Sequence, residues 1–348
     1  MKPDFHIYAG EEALAHIRSN SFQPDDISML LGASSGPKWL VLHGFDQFLL
    51  DTFKSRRKPL HLLGTSAGAW RMSCYARQDA WAAHDRLTQA YIEQRYSARP
   101  SGQEILDSCS GIIANVLGEN GAQEIINHDF ARYHLITTQC HGLAARQNRF
   151  VQGLAFLSAG LANILSRKTL NSQFTRIVMH HPQAKPPLVD SSDLRSREHP
   201  LSAEKVQDSI LSTGCIPVLI NGVRDVAGRG VYQDGGITDY GFDLPFMPDE
   251  GFVLYPHFAK QPAPGWFDKN LKWRKPSKEN YRRTIMLVPT DEFVASLPHG
   301  KIPDRKDFEK LSDQERIKYW REVVQRSQGF KQQLQNLDWA KHVEALPW

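Results

Sequence analysis

Cysteine is scarce in this chain. Cys74, Cys109, Cys140 and Cys215 are widely spaced and form no C-x-x-C pair, which argues against a zinc site or a disulfide scaffold and suits a reducing compartment. Long apolar runs are also missing. No stretch approaches the ~20 apolar residues that a bilayer span requires, and the opening segment lacks the apolar core of a signal peptide. Nor is there a strong charge of either sign. The formal net charge is +4 over 348 residues, too little to imply a nucleic-acid partner. What excess there is lies late: residues 257–348 carry 18 Lys and Arg against 12 Asp and Glu, leaving the rest at −2. The expectation is a cytoplasmic protein without nucleic acid, touching a membrane only peripherally.

Regular patterning starts near Asp26. "ISMLLG" (27–32) and "PLHLLG" (59–64) are short apolar runs ending in Gly, each followed by small residues and then a segment with helical apolar spacing. "YHLITTQC" (133–140) and "RIVMHH" (176–181) read as further buried strands, with "GLAFLSAGLANILSR" (153–167) as a helix between them. "EKVQDSILSTGCIPVL" (204–219) reads as a helix ending at Gly214, "GRGVYQDGG" (228–236) as a strand entering a turn, and "GFVLYP" (251–256) as another strand. Strands alternating with helices predict α/β layering around a largely parallel sheet. Residues 183–202, rich in Pro, Ser and charge, read as a long loop over the body. Amphipathic helices are expected from Ser312 onward. The division this implies is a main domain over 1–256 and a basic, aromatic-containing extension over 257–348 packed on it.

Three stretches carry chemistry. In Gly64-Thr65-Ser66-Ala67-Gly68 a strand passes directly into a helix, so that a tight elbow would lift the Ser66 hydroxyl above the sheet edge, near helix N–H groups. The competing reading is an ordinary serine cap. An acyl-transfer serine also needs donors aimed at the developing oxyanion. "LLGASSGPKWL" (30–40) repeats the strand, small-residue loop and helix, making Ser35, Gly36, Pro37 and Lys38 the candidate oxyanion loop. A phosphate-binding P-loop does not fit, because Pro precedes Lys38 and Trp39 follows it. Finally, "VYQDGGITDYGFDLP" (231–245) places Asp234 after a strand and before Gly235 and Gly236, which permit a tight turn. A plain Asp-Gly-Gly turn is the alternative. Three strand ends on one rim would present Gly36, Ser66 and Asp234 together.

At these residues the sequence resembles the patatin-like acyl hydrolases, which are marked by an oxyanion loop ending in a basic residue, then G-x-S-x-G, then Asp-Gly-Gly or Asp-Gly-Ala. "STGCIPVL" (212–219) is similar to the block that precedes the Asp motif in that family, and the likeness spans roughly residues 26–256. The resemblance implies a three-layer α/β/α fold, a Ser–Asp dyad without histidine, and no metal or cofactor. Ser66 would be nucleophile, Asp234 its base, Gly36 and the backbone around it the oxyanion hole, and Lys38 the basic residue. Three positions depart from the pattern. Ala33-Ser34-Ser35-Gly36-Pro37 replaces a run of glycines, Trp39 replaces the glycine after the basic residue, and Tyr240 stands where Asn often follows the Asp motif.

The expected activity is hydrolysis of lipid acyl esters, of lipase or phospholipase A type. One alternative is a weak or inactive lipid-binding relative. Another is an α/β-hydrolase with a Ser–Asp–His triad, whose histidine would be His257, His299 or His342. His180-His181 reads as the end of a buried strand and is assigned no metal. "WFDKNLKWRKPSKENYRR" (266–283) interleaves Lys and Arg with Trp266, Phe267, Trp273 and Tyr281, a composition suited to an anionic bilayer surface.

Overall fold

The computed structural model describes residues 2–189, 193–246 and 250–348. Its strands are β1 (Phe5–Ala9), β2 (Ile27–Gly32), β3 (Leu60–Gly64), β4 (Ala131–Cys140), β5 (Phe174–His180), β6 (Ser196–Pro200), β7 (Val223–Arg224), β8 (Val231–Gln233), β9 (Phe252–Pro256), β10 (Thr284–Pro289) and β11 (Val343–Ala345). They form one sheet in the order β11-β1-β10-β9-β2-β3-β4-β5-β6, with β8 paired to β4 and β7 to β8. The central run β10-β9-β2-β3-β4 is parallel throughout. This is a mostly parallel sheet with helices around it, followed by C-terminal helices.

The apolar runs form strands because both their faces are covered. Ile27 and Leu30 of β2 join the core beneath the helices His43–Phe53, Ala67–Tyr75 and Gly102–Leu117. Met29 and Leu31 point the other way, toward Phe242, Leu244 and Phe246. On that second face the helix Arg149–Leu165 packs Ala155, Phe156 and Ala159 against Cys140 of β4 and Phe174 of β5.

Three elements differ from the sequence expectation. Residues 183–202 are not loop throughout: Ser196–Pro200 is β6, an edge strand parallel to β5. Residues 190–192 lie outside the described residues. The side chains of β6 are largely exposed, so that strand carries no apolar signal. The helix expected from Lys38 begins as a 3₁₀ run, Gly36–Leu42, before the α-helix His43–Phe53. Beyond residue 256 the chain supplies more than helices. β10, a fully buried six-residue run, inserts between β9 and β1. The expected helices follow, the longest being Asp313–Ser327, opened by a Ser312/Glu315 capping box.

Candidate active site

β2 and β3 end in register, Gly32 opposite Gly64, so the two loops that follow leave the sheet side by side. Their closeness requires glycine. A Cβ on Gly68 would lie 2.0 Å from the Gly32 carbonyl oxygen, and one on Gly64 would lie 2.4 Å from Ala69 Cα. The turn between them puts Ser66 at φ 52°, ψ −134°, a conformation that costs a non-glycine residue ~1–3 kcal/mol. The Ser66 N–H donates to Thr213 Oγ1 (2.9 Å), and Thr213 in turn donates to the Ile136 carbonyl (2.5 Å), which holds the elbow against β4.

Asp234 reaches the same rim by a different route from the one expected. β4 runs on past the end of β3: Gly64 pairs with Leu135, and β4 continues to Cys140. β8 pairs antiparallel with that overhang, Gln233 opposite Thr138. The strand thus travels back toward the rim and delivers Asp234 beside Ser66. The carboxylate comes from a returning antiparallel strand, not from a third parallel strand end.

The three loops are hydrogen-bonded to one another. Thr65 N–H donates to the Gly32 carbonyl, Thr65 Oγ1 donates to the Asp239 carbonyl, and Ser34 N–H donates to the Tyr240 carbonyl, each at 3.0 Å. Ser34 Oγ lies 3.1 Å from Thr65 Oγ1 and 3.4 Å from Asp234 Oδ1. Asp239 is itself fixed by a bidentate pair with buried Arg176, at 2.7 and 2.8 Å.

Within this frame Ser66 Oγ donates a 2.9 Å hydrogen bond to Asp234 Oδ2, while Asp234 Oδ1 accepts from the Gly236 N–H at 2.8 Å. Burial raises the Asp234 pKa above the usual carboxylate value, outweighing the hydrogen bonds from Gly236 and Ser66. Gly235 and Gly236 are tightly confined: a Cβ would stand 1.9 Å from the Ile136 carbonyl oxygen at the first and 2.4 Å from Ser34 Oγ at the second.

Ser66 and Asp234 open onto a small pocket at the sheet rim. Ser34, Ser35 and Gly36 form one wall, and Ile216, Pro217, Ile237 and Trp266 form apolar parts of the others. Gly36 has φ +53°, as its position in the loop requires. The Gly36 and Ala67 amides open their helices and donate no hydrogen bond among the described residues. Ser35 Oγ is buried without a partner. Pro37 is buried in the helix start, and Lys38, which is not among the described pocket-lining residues, has its ammonium 5.2 Å from the Phe258 ring centre.

Two cations at the mouth escaped the sequence reading. Lys269 and Arg305 both line the pocket, with the Lys269 ammonium 3.6 Å from the centre of the Tyr240 ring. Burial, then the charges of Arg305 and Lys38, push the Lys269 pKa down to about 7. Lys269 does fall in the basic segment 266–283, but no local motif distinguishes it there, and Arg305 has none either. Thr213 was legible only as part of the small-residue block.

No histidine is among the described residues that line the pocket. His257 is buried with Nδ1 2.8 Å from the Ala259 carbonyl, His299 packs on Tyr319, and His342 Nδ1 lies 2.9 Å from the Asp338 carbonyl. The basic-aromatic segment 266–283 also differs from its expectation. Tyr281 is buried, and Trp266 and Phe267 pack on Phe156, which leaves Trp273 as its exposed aromatic.

A model of the patatin-like phospholipase family matches residues 39–244. The chain belongs to that family of lipid acyl hydrolases. The matched span contains Ser66 and Asp234 and begins directly after Lys38. A search of curated proteins and a search of solved structures find no match to the chain.

Proposed function

We propose that the protein is a serine acyl hydrolase that cleaves lipid acyl esters through a Ser66–Asp234 dyad. The observation that carries this reading is the 2.9 Å bond from Ser66 Oγ to Asp234 Oδ2, in a pocket with no histidine among its described lining residues. Asp234 takes the hydroxyl proton as Ser66 Oγ attacks the ester carbonyl carbon. The Gly36 and Ala67 amides receive the oxyanion, since the Ser66 amide is already committed to Thr213. The Ser35 hydroxyl adds a donor where the family has more glycine amides. The tetrahedral intermediate collapses to an acyl-serine, and the leaving alcohol takes the proton from Asp234. Water then attacks the acyl-serine as Asp234 accepts its proton; the second intermediate collapses with release of the acid, and Asp234 returns the proton to Ser66 Oγ. The residues supply every proton transfer, so turnover in excess chelator is expected to equal turnover with calcium.

Lys269 and Arg305 favour a substrate with negative charge close to the scissile ester, as in a phospholipid. The four free, buried thiols fit a reducing compartment, and we place the enzyme in the cytoplasm. The test is fluorophosphonate labelling together with hydrolysis of short and long p-nitrophenyl esters by wild type, Ser66→Ala and Asp234→Ala. Labelling and turnover in wild type, lost in both variants, is the expected result. A folded wild type that neither labels nor turns over would leave a lipid-binding protein in place of an enzyme.

A further inference from the structure

The helix Arg149–Leu165 is mounted with its apolar stripe facing outward. Its buried residues are Gln152, Ala155, Phe156, Ala159 and Asn163, small or polar apart from Phe156. Phe150, Leu154, Leu157, Leu161, Ile164 and Leu165 are instead between 45 and 87% exposed. Their spacing of four and three residues is that of a continuous stripe along one helix face. Soluble monomers rarely leave so large an apolar face uncovered.

The patch extends past both helix ends. Arg149 donates to the Leu219 carbonyl (3.3 Å), which places exposed Leu219 at the first end. Arg274 donates to the Asn163 and Ile164 carbonyls (2.9 and 3.4 Å), which places exposed Trp273 at the other. Charge along the stripe has one sign. The chain has no Asp or Glu between Asp129 and Asp190. Arg146 and Arg149 are exposed at the first end, and Lys168, Lys272 and Lys275 at the other. Arg167 and Arg274, beside that second end, hold Asp193 and Asp268 in ion pairs, and Arg176 pairs with Asp193 as well.

We propose that this helix lies flat on an anionic lipid surface, with its leucines in the acyl region and the cations and Trp273 at the headgroups. At 17 residues it is about 25 Å long, and no helix among the described residues is long and apolar enough to cross a bilayer. Lipid is favoured over a second copy of the chain by charge. Pairing two such helices in either direction sets basic ends against basic ends. The inner face ties docking to the pocket. Phe156 packs on pocket-lining Trp266 (5.9 Å), and Gln152 Oε1 accepts from the N–H of Val218, the residue after pocket-lining Pro217 (2.6 Å). A lipid layer on the stripe would therefore lie across this one helix from the pocket wall. The purpose of docking rests on the lipid-ester reading, whereas the binding test below does not.

The experiment is co-sedimentation of the full chain, carrying Ser66→Ala so that lipid is not consumed, with vesicles of phosphatidylcholine alone or with added phosphatidylglycerol. Binding is expected to the anionic vesicles, to fall with salt, and to weaken about tenfold or more in Leu157→Glu/Leu161→Glu. Lys168→Gln/Lys272→Gln/Lys275→Gln is expected to weaken it several-fold. With Ser66 restored, both sets are expected to hydrolyse a short soluble ester at the wild-type rate. If the glutamate pair melts early, Leu157→Ser/Leu161→Ser is read in its place. Absence of binding to anionic vesicles, binding equal in the leucine variants, or a dimer that those variants dissolve would overturn the proposal. A chain that binds vesicles but hydrolyses no ester with Ser66 present would count against the dyad alone.

Discussion

Thr213 joins the Ser66 amide to the Ile136 carbonyl, accepting a hydrogen bond from the first and donating one to the second. Its single hydroxyl pins the positive-φ elbow to the strand that also positions Asp234. Thr213→Val keeps the shape but leaves both backbone groups unpaired in a buried place, so a loss of ~1–3 kcal/mol in urea unfolding is expected. The freed elbow should lower kcat more than it changes KM. Thr213→Ser, which keeps the hydroxyl, should retain most of both.

The acid side of the pH profile reports on Asp234. Only the ionised carboxylate accepts the Ser66 proton, and burial raises its pKa. The sign follows: kcat/KM should rise with pH as Asp234 loses its proton, with the half-point above the ~4 of an exposed carboxylate. A profile flat down to pH 4 would remove Asp234 from the role of base.

Lys269 makes the opposite prediction on the alkaline side. With its pKa near 7, it carries charge below neutrality and sheds it above. KM for an ester bearing a nearby anion should therefore climb as pH rises through neutrality, while KM for a neutral ester stays level. Lys269→Met should abolish the difference, and Arg305→Gln should raise KM for the anionic ester about tenfold at all pH values.

Gly68 and Gly111 test the same substitution with opposite outcomes. Alanine at Gly68 would drive a Cβ to 2.0 Å from the Gly32 carbonyl oxygen, whereas nothing lies within 4 Å of a Cβ at Gly111. Gly68→Ala is expected to yield little folded protein, as judged by recovery and circular dichroism. Gly111→Ala, inside the helix Gly102–Leu117, should stabilise by roughly 0.5–1 kcal/mol in urea unfolding, since alanine is the better helix former.

β2, β3, β4 and β5 could be read in advance because their runs are apolar on both faces. β6 could not, since "SREHP" lies at the sheet edge with polar residues exposed. Nor could the direction of β8: three residues before an Asp-Gly-Gly turn say nothing of whether they run with or against their neighbour. Ser66 and Asp234 announced themselves through glycines that only close backbone approach explains. Lys269 and Arg305 reach the pocket from loops whose positions depend on the whole fold. In the helix Arg149–Leu165 the spacing was visible, but not which face turns outward, because the choice depends on the shape of the surface it meets.

Among the described residues, the sheet neighbours of β1 are β10 and β11. During synthesis, residues 5–9 would leave the ribosome long before residues 284–289 exist to receive them. The sheet therefore cannot be closed from its beginning onward as the chain emerges. Its β1 edge is finished only once residues 284–289 and 343–345 have been made.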